Sequence, residues 1–84
     1  MHLVNIGYGN LAQAERIISV VAPEAAPIRR MVQDARDRGE VIDATCGHKT
    51  KAVLVMDSGH LVLSPLLPET IAGRTNPRKE LSQA

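Results

Sequence analysis

The sequence predicts an α+β fold: a small mixed or antiparallel sheet of about five strands, one main helix and a short C-terminal helix. Three observations carry that reading. Short apolar runs rich in Val and Ile recur between clusters of Gly, Asn, Asp and Ser, which is how strands and turns alternate. One stretch alone, Pro23 to Gly39, spaces its apolar residues at helical steps. The chain has 84 residues and no internal repeat, which leaves room for a single core.

In chain order, His2-Leu3-Val4-Asn5-Ile6 reads as a first strand, and Gly7-Tyr8-Gly9-Asn10 as the reversal after it. A nucleotide-loop reading of those glycines lacks the third Gly and the helix N-terminus that would receive a pyrophosphate. Glu15 to Ala22 has the β-branched richness of a strand, and both of its faces are apolar, so a cover is expected on each side. Arg16 sits at the polar start of that strand. In Pro23 to Gly39, residues Ile28, Met31, Val32 and Ala35 form one stripe. Pro27 suits an early helical turn, Gly39 the position past the end, and Arg36 and Arg38 the negative end of the dipole.

Val41 to Thr45 and Lys51 to Met56 are expected to pair as a hairpin across a basic turn, Asp43 to Lys51, with Asp57-Ser58-Gly59-His60 returning the chain into Leu61-Val62-Leu63. That makes a three-stranded meander with an apolar middle strand. One helix covers one face of such a sheet, and the other is expected to be left for a partner. Pro68 to Gly73 predicts a short last helix that docks Leu66, Leu67 and Ile71 on the sheet or on a neighbouring subunit. Residues 1–75 then form one domain and 76–84 a polar, flexible tail.

Composition narrows the function. Lys plus Arg is 10 and Asp plus Glu is 9, a net charge of +1, so any polyanion site must be local. There is one Tyr and neither Phe nor Trp, a lean core for this length, which makes self-association the expectation. No signal peptide or bilayer-spanning run is legible, so a cytoplasmic location and no membrane partner are expected. The single Cys46 cannot form an internal disulfide and reads as a small buried or half-buried residue.

No nucleophile stands beside a base, no carboxylate pair suggests itself, and Cys46, His48 and His60 lack a fourth ligand and any familiar metal spacing. The expectation is therefore no enzyme, no cofactor, no metal and no small-molecule substrate. The stronger constellation is cationic: Arg16, with His48, Lys49 and Lys51 around one turn. Cations so placed can hold phosphates and fix position without reading bases.

The words Asn5-Ile6-Gly7-Tyr8-Gly9-Asn10, Arg16-Ile17-Ile18-Ser19-Val20-Val21, Pro23-Glu24-Ala25-Ala26-Pro27-Ile28-Arg29-Arg30-Met31 and Gln33-Asp34-Ala35-Arg36-Asp37 closely resemble the RemA family of bacterial extracellular-matrix regulators. So do Asp43-Ala44-Thr45, Val53-Leu54-Val55-Met56-Asp57-Ser58 and Pro68-Glu69-Thr70, and the similarity runs without a gap from about Val4 to about Arg74.

The resemblance implies a non-enzymatic, nucleoid-associated protein that activates biofilm-matrix operons as a homo-oligomeric ring, an octamer, around which double-stranded DNA curves. It also implies DNA contacts at Arg16, His48, Lys49 and Lys51. The chain departs from the family there: His48-Lys49 replaces an adjacent Arg pair, and Lys51 a further basic residue that is usually Arg. Arg offers a planar fork, Lys a point charge, and imidazole is mostly neutral above about pH 6.5. Phosphate attraction should survive that exchange better than base reading, and should tighten from pH 8 to pH 6.

Overall fold

The computed structural model describes residues 1–75; the tail expected at 76–84 lies outside the described residues. Its elements run β1 (Leu3–Asn5), β2 (Leu11–Gln13), a 3-10 turn (Ala14–Arg16), β3 (Ile17–Val21), α1 (Ala26–Asp37), β4 (Val41–Asp43), β5 (Ala52–Met56), β6 (Leu61–Ser64) and α2 (Pro68–Thr75). The α+β class is as expected, but the strands form two sheets: a β1-β2 hairpin and a four-stranded sheet ordered β3-β5-β6-β4.

The pairing corrects two expectations. β4 does not pair with β5; it lies parallel to β6, with Val41 opposite Leu61 and Asp43 opposite Leu63. β5 is antiparallel to β6 and to β3, so the meander is replaced by a β5-β6 hairpin with β4 added at the far edge. The basic segment is consequently a crossover passing over the end of β6. Ala44 N–H donates to the Leu63 carbonyl at 2.9 Å and Lys51 N–H to that of Ser64 at 2.8 Å.

Alternation along β5 and β6 sorts the core into two layers. On one face Val53, Leu61 and Leu63 meet the α1 stripe of Ile28, Met31, Val32 and Ala35. α1 ends as a Schellman motif, with Glu40 N–H donating to the Ala35 carbonyl and Gly39 N–H to that of Arg36, at a Gly39 φ of +72°. Arg38 pairs with Glu40 at 3.0 Å.

The second face, expected to be left for a partner, is covered in large part by the chain itself. Ala52, Leu54 and Val62 pack there with Val4 and Ile6 of the hairpin segment, with Ala44, and with Ile71 of α2. α2 runs on through Gly73 to Thr75 and is tied to β1, the Arg74 guanidinium donating to the Asn5 carbonyl at 2.8 Å. Docking is thus on its own subunit, although Leu67 stays exposed. Ser64, fully buried, joins the layers: its hydroxyl donates to the Ile6 carbonyl at 2.7 Å and accepts from Leu66 N–H at 3.1 Å.

β3 begins later than expected, because Ala14–Arg16 coil into the 3-10 turn. Its cover is incomplete. A bulge lies between Ile17 and Ser19, and Ile18 is 67% exposed.

Candidate nucleic-acid interface

The crossover from Ala44 to Lys51 is a built loop. The Asp43 carboxylate accepts from the Thr45 hydroxyl at 2.6 Å and from Thr45 N–H at 2.9 Å, an Asx-type turn that starts the loop. Those two bonds, the hydroxyl's first, hold the Asp43 carboxyl below its ordinary value of 3.8. Thr45 is buried, and its carbonyl accepts from His48 N–H at 2.9 Å. Cys46 and Gly47 take φ of +55° and +84°, which turns the chain so that Cys46, His48, Lys49 and Lys51 are all exposed. The burial expected of Cys46 does not hold: it sits in the turn at the loop tip, off the sheet, and is exposed.

His48 does not stand alone. Its ring stacks on that of Tyr8, with centroids 4.9 Å apart and planes 22° from parallel. The Tyr8 hydroxyl lies 2.9 Å from Nδ1 and 3.0 Å from Nε2, while Nδ1 also lies 3.3 Å from the Thr45 carbonyl. A hydroxyl oxygen equidistant from both nitrogens lies over the imidazole face, off the in-plane lone pairs, so it belongs to the stack, and Nδ1–H is left to donate to the Thr45 carbonyl. A second tie runs alongside, the Asn10 amide donating to the Ala44 carbonyl at 3.5 Å. The N-terminal reversal and the crossover therefore meet on one surface.

Arg16 is elsewhere. It is held at the opposite end of β5, where its carbonyl accepts from Asp57 N–H at 2.8 Å and its guanidinium pairs with the Asp57 carboxylate at 3.0 Å. Both side chains are largely exposed, so the pair contributes at most about 1 kcal/mol. From Lys51 to Asp57 the extended chain covers roughly 20 Å, beyond the screening length of about 8–10 Å. The structure brings His48, Lys49 and Lys51 onto one loop but does not bring Arg16 to them within one subunit.

Beside Arg16 lies an apolar groove of about 520 Å³, lined by Ile6, Leu11, Ile42, Met56 and Val62, with Asp57 and His60 among its polar residues. Among the described residues no group of three or more His, Cys, Asp or Glu could hold a metal ion, and no helix is long and apolar enough to cross a membrane. Two of the partners that hold these side chains were hidden in the sequence. Tyr8 and Asp57 act through partners about forty positions away, and only the rarity of the aromatic hinted at Tyr8.

The fold and surface define a small α+β domain that displays a braced basic crossover. The chain belongs to the RemA-like family, described as "Extracellular matrix regulatory protein A-like", whose match spans residues 3–75. It is 59% identical over 83 residues to a Bacillus cereus (strain AH187) protein named "Putative regulatory protein", covering 99% of this chain and 95% of that one. Relatives with the same designation in Bacillus cytotoxicus and Bacillus anthracis are 58% identical over the same shares. Membership in a family of regulatory proteins supports a regulatory role and points away from an enzyme.

Proposed function

We propose that this protein is a DNA-binding transcriptional regulator whose homo-oligomeric ring, an octamer, binds and bends double-stranded DNA at the nucleoid to activate biofilm-matrix genes. The observation that carries the reading is the crossover: a loop braced by Asp43, Thr45 and Tyr8 that leaves Lys49, Lys51 and the His48 turn exposed. A rigid loop pays little ordering entropy on meeting phosphates.

Assembly supplies what one subunit lacks. Among the described residues β3 and β4 are the edge strands of the main sheet; they lie on opposite sides and carry exposed Ile18 and Ile42, which suits head-to-tail contact that closes into a ring. Arg16 of one copy and the crossover of the next then recur along a curved track. Bending a short duplex costs about 1–6 kcal/mol, offset by many phosphate contacts, so specificity comes mainly from DNA deformability.

The test is a gel-shift and salt series. Wild-type affinity should fall linearly on a log-log plot, by about 0.9 per phosphate neutralised. Arg16→Ala with Lys49→Ala should abolish binding and leave the assembly intact, whereas Asp57→Asn should tighten it by freeing Arg16 from its ion pair. A double variant that still shifts DNA would remove these residues from the site. A second reading, a ring-forming structural or interaction protein without DNA binding, is favoured by the apolar groove. It predicts a flat salt response.

A further inference from the structure

We infer that Tyr8 is a positioning residue of the DNA site, acting through His48 to fix the basic crossover, so that the site is composite between the N-terminal reversal and the 44–51 segment. The inference rests on the DNA-binding reading and adds to it a residue outside the basic loop. Three observations carry it. Tyr8, the single aromatic residue of the chain, is 56% exposed and spends its ring on the imidazole instead of the core. Its hydroxyl lies over the imidazole, 2.9 Å and 3.0 Å from the two nitrogens, and the Thr45 carbonyl lies 3.3 Å from Nδ1, so the ring is held on one face and at one edge.

The third observation is how firmly Tyr8 is itself placed. Its φ is +54°, following Gly7 at +121°, a pairing of backbone angles that only local constraint maintains. The constraint is visible. Gly7 N–H donates to the Asn5 side chain at 2.8 Å, the Asn10 side chain donates to the Gly7 carbonyl at 3.0 Å, and a Cβ at Gly7 would come within 2.7 Å of Pro65. A reversal anchored to the sheet thus holds one face of His48, and Lys49 follows His48 directly in the chain. Loss of the ring releases the loop, and the adjacent ammonium is then presented less accurately.

The test is a double-mutant cycle on DNA affinity at fixed salt with the full-length protein and a short duplex. Tyr8→Asn removes the ring while suiting the left-handed backbone; Tyr8→Phe keeps the stack and removes the hydroxyl. Tyr8→Asn should weaken binding roughly two- to tenfold, the range of one aromatic pair. Tyr8→Phe should fall between it and wild type, and Tyr8→Asn should add nothing to His48→Ala.

A ring-current shift on the His48 imidazole protons should be present in wild type and Tyr8→Phe and absent in Tyr8→Asn. Equal losses in both backgrounds, no loss at all, or no ring-current shift in wild type would overturn the inference. If wild type itself shows no salt-dependent binding, the DNA reading fails first and takes this role with it, a result separate from wild type binding and Tyr8→Asn binding equally well.

Discussion

Asp43 ends β4 and begins the crossover with one carboxylate, accepting from the Thr45 hydroxyl and amide. Because both bonds favour the ionised form, its folded carboxyl lies below its ordinary 3.8. The sign follows from linkage: this stabilisation is complete above the unfolded value and is lost as pH falls through the folded one. Urea midpoints measured from pH 5 to pH 2 should therefore drop less in Asp43→Asn, which keeps an acceptor and cannot titrate, than in wild type. Glu15, lowered by bonds from its own amide and that of His2, leaves a residual slope in both. At this scale charge was legible in the sequence and partnership was not: Lys49 and Lys51 announce themselves, but the Arg16–Asp57 pair and the Tyr8–His48 stack exist only once distant strands have paired.

Among the elements, α1 and β5 were the most legible, for physical reasons. An apolar stripe at helical spacing and a run apolar on both faces each have one favourable placement, against a sheet and inside it. Pairing was less so. Two apolar runs joined by a Gly-containing segment fit a hairpin or a crossover equally well, and the choice fell to β6, whose Leu61 and Leu63 serve the α1 layer while Val41 of β4 extends that layer at its side. β2, Leu-Ala-Gln, has no β-branched residue and exists through its pairing with β1. α2 shows the same dependence: eight residues do not hold a helix alone, and the fully buried Ile71 keeps it on the second face. Ile71→Ala should cost about 2–5 kcal/mol in urea unfolding, because the cavity opens beneath Leu54 and Val4 in a closely packed layer. A loss under 1 kcal/mol would mean that α2 contributes little to the isolated subunit.

For the whole molecule, the largely covered second face changes what would drive the proposed assembly. With α1 on one face and the hairpin and α2 over most of the other, the apolar surface left for association includes Ile18 on the β3 edge and the groove on the second face, where Ile42 and Leu11 are exposed. The proposed ring then rests on edge contacts, and the separation of Arg16 from the crossover makes DNA binding depend on them. Ile42→Lys tests that dependence, since a charge on an open strand edge opposes pairing and an exposed position tolerates it within about 0.5 kcal/mol. Sedimentation should show wild type heavier than its 9.1 kDa chain and Ile42→Lys near that mass, with thermal unfolding almost unchanged. DNA affinity should fall with it by about 10²–10⁴-fold, the scale of lost multivalency, although no cation has been removed. An Ile42→Lys protein that assembles normally would take the β4 edge and this groove out of the interface, and one that sediments as a single subunit yet binds DNA at full strength would show that the crossover alone suffices.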